Sequence, residues 1–222
     1  MHTKYENRSE AGDFLAIHLE QEIPKLNLVV LALPRGGVEV ALPIAIRMRA
    51  PLEVLVVRKL GAPKQNELAL GAIASGGFIY LNQDLADDLK VTPKQIAKIR
   101  DRETRELERR ESLYYQGRER MTLADKRVLI VDDGIATGAT MEVAIRAVKA
   151  SQPKALYVAV PVASLSAIER LHRFCDHIYS LQTPSIMGAI GEYYENFMQV
   201  SDERVIQVLA EAKRASERNS LD

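Results

Sequence analysis

Two hydrophobic patterns alternate along the chain: short β-branched apolar runs, typical of buried strands, and longer stretches with apolar residues at helical spacing. The runs that predict buried strands are 28–33, 52–57, 128–131, 155–160 and 177–180. The stretches that predict helices are about 9–23, 38–49, 82–89, 93–115, 141–150, 164–174 and 202–216. Because strands and helices alternate, the chain is expected to be an α/β protein with a mostly parallel sheet flanked by helices.

The stretch between the second and third of these strands follows a different pattern. Residues 61–71 are rich in glycine, proline and polar side chains and predict a loop, while 72–74 and 78–80 predict two short strands around a glycine turn. The helix at 93–115 is unusually charged, since eleven of the fourteen residues from 98 to 111 are acidic or basic with mixed signs. This pattern favours a solvent-exposed helix with i,i+4 ion pairs, and leaves a dimer contact open.

The composition is that of a folded globular protein. The chain has 222 residues, of which 47% are hydrophobic and 27% charged. This length suits one domain with an appendage, which we place as an α/β core at 1–180 and a C-terminal hood or tail at 181–222. The formal net charge of zero argues against general binding to nucleic acids or anionic membranes.

Cysteine content and hydropathy indicate the compartment. With Cys175 as its single cysteine, the chain can form neither an internal disulfide nor a thiolate metal cluster. Residues 1–10 are polar with mixed charge, unlike a signal peptide, and no apolar run approaches the roughly 20 residues of a membrane span. We therefore expect a cytoplasmic protein that does not enter a membrane.

The strongest chemical signal lies in residues 128–140, Val-Leu-Ile-Val-Asp-Asp-Gly-Ile-Ala-Thr-Gly-Ala-Thr. A buried strand is followed by the adjacent carboxylates of Asp132 and Asp133, and then by a loop of small residues that opens a helix. Ligands of open α/β sheets bind at the carboxyl ends of strands, and a helix N-terminus favours anions. The residues expected to bind a phosphate are Ala136, Thr137, Gly138, Ala139 and Thr140.

The two carboxylates would repel that phosphate unless they face another group. Vicinal sugar hydroxyls, or the water shell of a Mg²⁺ ion, are suitable partners for Asp132 and Asp133. A phosphate loop beside such a diol clamp predicts a ribose 5-phosphate site. The alternative is an ordinary strand–turn–helix corner with surface acids, which would not require both carboxylates and both threonines.

Two further strand ends carry groups suited to anions. Arg35, Gly36 and Gly37 follow the first predicted strand and offer a guanidinium with backbone N–H donors. Arg58 and Lys59 follow the second strand and add two cations. In a parallel sheet these ends open on one edge, where a doubly charged phosphate and a pyrophosphate would both need this surplus of positive charge; a solvated strand end is the alternative for Arg58 and Lys59.

Residues 128–140 resemble the phosphoribosyl-pyrophosphate (PRPP) signature of the type I phosphoribosyltransferases. The stretch lacks the Gly-Lys-Ser/Thr of a P-loop, and its acidic pair precedes the loop, unlike the acidic residue of a Rossmann fingerprint. The resemblance spans most of 28–180. It implies a pyrophosphate loop at 33–38, a basic pair at 58–59, and a mobile catalytic loop at 61 to about 77. It also implies a hood that holds the acceptor, built here from the N-terminal helix and the C-terminal tail.

The whole chain is also similar to a group of predicted bacterial phosphoribosyltransferases whose acceptor is not settled. That group shares an aromatic tail motif, which is Gly-Glu-Tyr-Tyr-Glu-Asn-Phe at 191–197 here. Tyr193, Tyr194 and Phe197 are therefore candidates for stacking on an acceptor ring. Packing within the hood is an equal alternative for these three side chains.

One position distinguishes subclasses of the family. The 6-oxopurine enzymes have an aspartate where this chain has Ala136, whereas adenine-type enzymes have alanine and are thought to use a glutamate of the mobile loop. Glu67 is the single carboxylate in 61–77, so the resemblance implies that it is the general acid–base. Lys64 is the alternative catalytic residue of this loop, where it would neutralise the departing pyrophosphate.

Taken together, the resemblance implies a Mg²⁺-dependent enzyme of nucleotide metabolism. It would transfer the phosphoribosyl group of PRPP to a nitrogenous base, of purine or adenine type, and release pyrophosphate. Asp132 and Asp133 would hold the metal indirectly, through water and the ribose hydroxyls. Two alternatives are a PRPP-sensing regulator without catalysis and a relative of PRPP synthase, which the lack of an ATP-binding element disfavours. Many members dimerise, which leaves a homodimer open.

Overall fold

The computed structural model describes residues 4–63 and 65–219, without the side chains of 65–67 and 219. Its helices are α1 Arg8–Glu22, α2 Gly37–Met48, α3 Gln83–Asp88, α4 Pro93–Tyr115, α5 Ala139–Lys149, α6 Leu165–Leu171 and α7 Asp202–Asn219. Its strands are β1 Leu28–Ala32, β2 Leu52–Val54, β3 Val57–Ala62, β4 Gln65–Ala74, β5 Phe78–Leu81, β6 Arg127–Val131, β7 Ala155–Val162 and β8 His177–Gln182. Short 3₁₀ turns lie at His172–Phe174 and Ile190–Tyr193.

The central layer is a five-stranded parallel sheet in the order β2-β1-β6-β7-β8. Its inner strands are apolar runs buried on both faces, as expected for a parallel sheet. Along β1, Val30 and Ala32 belong to the hydrophobic cluster of α1, α2 and α7, whereas Val29 and Leu31 belong to that of α5 and α6. The sheet therefore lies between two helical layers, which confirms the predicted α/β class.

Two predictions are wrong in detail: the strand at 52–57 and the loop at 61–71. β2 ends at Val54, and β3, β4 and β5 form a separate three-stranded antiparallel sheet. The predicted loop lies within the β3–β4 hairpin, whose register shifts on both sides of Gly61. Glycine and proline there predicted a loop, but in this structure Gly61 marks a bulge that ends one regular pairing and begins the next.

The long charged helix α4 forms with nearly the predicted bounds. A capping box between Thr92 and Gln95 starts it, and Pro93 occupies its first turn. Most of its surface faces solvent, while Leu107, Tyr114 and Tyr115 are buried in the main hydrophobic cluster, which is the one formed with α1, α2 and α7. The charged face and the narrow apolar seam were both expected from the sequence.

The C-terminal segment divides into two parts. Helix α7 packs with α2, and its residues Val205, Val208 and Leu209 are buried in the hydrophobic cluster that α1, α2 and α7 share. Residues 190–198 instead lie against the N-terminal segment: the Tyr5 N–H donates to the Tyr193 carbonyl at 2.9 Å, and the Glu195 N–H donates to the Tyr5 carbonyl at 2.7 Å. We call residues 4–8 and 190–198 together the hood.

Within residues 4–63 and 65–219, no helix is both long enough and apolar enough to cross a membrane.

Candidate active site

The parallel pairing of β1 with β6 brings two predicted loops together. Ala32 lies opposite Val131, so the turn at 34–37 and the loop after 131 emerge side by side. A Cβ added at Gly36 would collide with the Asp133 carboxylate, and one at Gly37 would lie 2.8 Å from the Val131 carbonyl oxygen. The two glycines are therefore required for close approach, in addition to the N–H donors predicted from the sequence. The Pro34–Arg35 peptide bond is cis.

The acidic pair is constrained at this junction. The Asp133 backbone N–H donates to Asp132 Oδ1 at 2.9 Å, which fixes the Asp132 side chain relative to the main chain of Asp133. Burial, followed by the neighbouring charge of Asp133, raises the pKa of Asp132 well above its usual range. Burial also raises the pKa of Asp133, and the hydrogen bond from Arg8 opposes that rise. Two partly buried acids side by side are costly for the fold, which is typical of a functional site.

Arg8 is the residue that sequence reasoning missed. Its Nε donates to Asp133 Oδ2 at 2.8 Å and its Nη1 donates to the Met198 carbonyl at 2.8 Å. The guanidinium also lies 3.8 Å from the centroid of the Phe197 ring. Arg8 and Asp133 are 125 positions apart, and an arginine in the first turn of a helix gives no local signal of such a contact.

The predicted phosphate loop lies at the N-terminus of α5. Gly138 adopts φ 77° and caps the helix, a conformation that strains any residue with a Cβ. A Cβ at this position would also lie 3.1 Å from the Leu171 side chain. Thr137 and Thr140 are exposed beside it, and the Ser164 hydroxyl donates to the Ala136 carbonyl at 2.6 Å. The loop thus presents the start of α5 and two hydroxyls to solvent.

The predicted basic groups have different surroundings. Arg35 Nη1 lies 3.8 Å from Asp202 Oδ1, a long ion pair, and the arginine side chain is 30% exposed. Arg58 belongs to β3 instead of following β2, and its Nε and Nη2 donate to Glu103 of α4 at 2.9 and 2.5 Å. Lys59 is exposed on the same strand. Arg35 thus lies in the turn beside the acidic pair, whereas Arg58 is held against α4.

The side chains of Lys64 and Glu67, the two candidates in the predicted catalytic loop, are not among those that the structure describes. Lys64 lies outside the described residues. The backbone of Glu67 belongs to β4, and its side chain lies outside what the structure describes. Both assignments stay predictions.

The aromatic tail residues lie in the hood. Tyr193 and Tyr194 are 6% and 2% exposed, and the Tyr194 hydroxyl donates to the Asp133 carbonyl at 2.6 Å. Burial is the main cause that raises the pKa of Tyr194 far above its usual value. Phe197 is less buried and stacks on Tyr194 with ring centroids 5.0 Å apart. This geometry favours the packing interpretation for the two tyrosines.

Comparison with known proteins identifies the family. The model of the phosphoribosyl transferase domain matches residues 60–195, so the chain belongs to the phosphoribosyl transferase domain family. A Mycobacterium tuberculosis protein, named "Putative phosphoribosyl transferase Rv0571c" in strain H37Rv and "Putative phosphoribosyl transferase MT0597" in strain CDC 1551, is 40% identical over 210 residues. The match covers 95% of this chain and 47% of the relative, so the chain spans about half the length of its curated relatives.

A solved structure agrees over nearly the whole chain. The crystal structure of TT1426 from Thermus thermophilus superposes with a TM-score of 0.82 at 37% sequence identity. The superposition covers 94% of this chain and 99% of that one. The two proteins therefore share their fold over nearly the full length of both chains.

The raised pKa of Asp132 predicts a stability gain on neutralisation. Its folded pKa exceeds the unfolded value, so the ionised side chain destabilises the fold at pH 7, and this cost shrinks as pH falls below the folded pKa and is gone below the unfolded pKa. We expect Asp132→Asn to raise Tm by about 2–4 °C at pH 7. The gain should shrink towards pH 4, as measured by thermal unfolding.

Asp133→Asn is the matched control for that measurement. It also removes one negative charge, but it leaves the buried Arg8 guanidinium with a weaker partner. Burial raises the pKa of Asp133 as well, but the Arg8 hydrogen bond opposes that rise, so the Tm of Asp133→Asn at pH 7 should rise by less than that of Asp132→Asn. Equal Tm changes of the same sign in both variants would contradict this account of the acidic pair.

Proposed function

We propose that this protein is a phosphoribosyltransferase that transfers the 5-phosphoribosyl group of PRPP to a nitrogenous base and releases pyrophosphate. One observation carries the proposal: the acidic pair lies directly against the glycine turn after β1, with the open start of α5 following in the same loop. Three groups suited to a phosphate, a diol and a pyrophosphate are thus adjacent. Membership of the phosphoribosyl transferase domain family supports the same activity.

PRPP would lie across the carboxyl ends of β1 and β6. Residues 136–140 would bind the 5-phosphate through backbone N–H groups and the hydroxyls of Thr137 and Thr140. Asp132 and Asp133 would accept hydrogen bonds from the ribose hydroxyls. The N–H groups and guanidinium of the 35–37 turn would bind the pyrophosphate, which extends away from the helix start.

The acidic pair fits a magnesium ion that is held mainly by its substrate. No group of three or more acidic, histidine or cysteine side chains is arranged to hold a metal in the described part of the chain. Mg²⁺ commonly keeps several waters and binds through one or two carboxylates together with substrate phosphates. Asp132 and Asp133 match this requirement through water and the ribose hydroxyls, and the ion would neutralise pyrophosphate charge when bound.

The basic residues would stabilise the departing pyrophosphate. As the C1–O bond of PRPP breaks, negative charge grows on that group, and Arg35 can turn towards it because its ion pair with Asp202 is long and partly exposed. Arg58 can keep its bonds to Glu103 through Nε and Nη2 while its Nη1 donates to the departing pyrophosphate. Lys59 would supply further positive charge from the same strand, and Lys64 is the proposed neutralising group of the loop.

The acceptor that we propose is a purine-like base, with adenine the first to test. Ala136 occupies the position that is aspartate in 6-oxopurine enzymes, which leaves Glu67 as the proposed general acid–base. Phe197 is the proposed ring contact, since Tyr193 and Tyr194 are buried in hood packing. We also propose that the enzyme is cytoplasmic, and from the resemblance alone we propose that it acts in nucleotide metabolism and forms a homodimer.

Turnover provides the test of this function. With PRPP and Mg²⁺, we expect a panel of bases to include one that triggers stoichiometric pyrophosphate release. Glu67→Gln should lower kcat by about 100-fold with little change in the KM for PRPP, because it removes proton transfer and leaves binding intact. Intact turnover in this variant would remove Glu67 from the mechanism. PRPP binding without turnover for every base would favour the regulatory alternative.

The phosphate loop gives a second test, with a matched control in the same chain. Gly138→Ala should weaken PRPP binding by at least about 10-fold, because a Cβ strains φ at the helix start that holds the phosphate. Gly117 has the same φ of 77° with no neighbouring atom within 4 Å of the added Cβ. Gly117→Ala should therefore lose stability but keep its affinity, as measured by calorimetry. Equal losses of affinity would contradict the loop assignment.

A further inference from the structure

We propose that Arg8 is a positioning residue that fixes the Asp133 carboxylate for the ribose hydroxyls and links that carboxylate to the hood. The inference rests on the proposed function, because it concerns how PRPP is held. It goes beyond it by giving the N-terminal segment a defined part in ligand binding.

Arg8 is held on three sides. Its Nε bonds Asp133 Oδ2, its Nη1 bonds the Met198 carbonyl, and the Phe197 ring covers the guanidinium at 3.8 Å. Its side chain is 7% exposed, so these contacts replace its water almost completely. A planar guanidinium can bond a carboxylate and a carbonyl through N–H groups in its plane while its face lies on a ring, a geometry that the compact ammonium group does not reproduce. The site therefore specifies arginine and not merely a positive charge.

The main chain of Asp133 is also held by the hood. The Tyr194 hydroxyl donates to the Asp133 carbonyl at 2.6 Å, and Gly36 packs against the carboxylate from the turn after β1. Arg8 occupies Oδ2, so a ribose hydroxyl would use Oδ1. With hood contacts on both its backbone and its side chain, the orientation of Asp133 depends on the hood.

Two effects should follow from the loss of Arg8. The carboxylate would lose the bond that sets its rotamer, and a small displacement of a positioned group is enough to weaken a diol contact. The acidic pair would also lose its counter-charge beside an anionic ligand. The first effect acts on ligands with ribose hydroxyls, whereas the second acts on any phosphate.

The ligand series separates the two effects. We would titrate the full chain with PRPP and Mg²⁺, with ribose 5-phosphate, and with inorganic phosphate, which has no ribose hydroxyls to orient. Arg8→Gln should weaken PRPP and ribose 5-phosphate by about 10-fold or more, and inorganic phosphate by less than about 3-fold. Arg8→Lys keeps the charge, so its affinity for PRPP and for ribose 5-phosphate should lie between the affinities of the native protein and of Arg8→Gln.

Arg204→Gln is the matched control. Arg204 lines the same cavity of about 410 Å³ as Arg8, and it pairs with Glu39 and Glu211 instead of Asp133. Its loss removes the same charge nearby, so all three affinities should change by less than about 3-fold. Asp133→Asn combined with Arg8→Gln should weaken ribose 5-phosphate by less than the product of the single effects, since both act through one carboxylate.

The outcomes are distinguishable. If the native protein binds neither PRPP nor ribose 5-phosphate, the proposed function falls and this inference falls with it. If the native protein binds both and Arg8→Gln binds them equally well, the inference alone is overturned. Equal losses for all three ligands would also overturn it, because they would indicate a structural or purely electrostatic role. If Arg8→Gln does not fold, Arg8→Lys must weaken the ribose ligands at least about 3-fold more than phosphate.

Discussion

The parallel pairing of β1 with β6 is the constraint on which the candidate site depends. It sets the glycine turn beside the acidic pair so closely that a side chain at Gly36 would displace the Asp133 carboxylate. The phosphate loop follows β6 of the same strand pair and leads into the start of α5. Changing the register by one residue would move each side chain to the opposite face of the sheet, so the packing of these strands against the two helical layers also fixes the geometry of the site.

Much of this arrangement is local in sequence and could be predicted. Apolar runs identified the strands of the parallel sheet. The glycine turn and the acidic pair follow β1 and β6 directly in sequence, so their position at the strand ends could be predicted with the strands. The β3–β4 hairpin was missed because glycine occurs both in bulges and in loops, and tertiary pairing decides which of the two forms at Gly61. Arg58 consequently belongs to a different sheet from the one expected, and it is paired with Glu103 of α4.

Contacts between distant segments could not be predicted from local pattern. The sequence marks neither the pairing of Arg8 with Asp133 nor the burial of Tyr194 on the Asp133 carbonyl. Both contacts come from the hood, whose two segments lie near opposite ends of the sequence. The hood offsets part of the cost of burying the acidic pair, because Arg8 lowers the pKa of Asp133 against the effect of burial. Stability and ligand geometry are therefore coupled at one carboxylate.

The central claim is that this edge of the sheet binds PRPP. The most direct measurement is calorimetric titration of the native protein with PRPP and Mg²⁺, beside the Asp132→Asn, Asp133→Asn double variant. The account predicts saturable binding by the native protein and a loss of at least about 10-fold in the variant, since the variant loses both charged hydrogen-bond acceptors for the ribose hydroxyls. Absence of binding by the native protein, or equal binding by the two proteins, would contradict it.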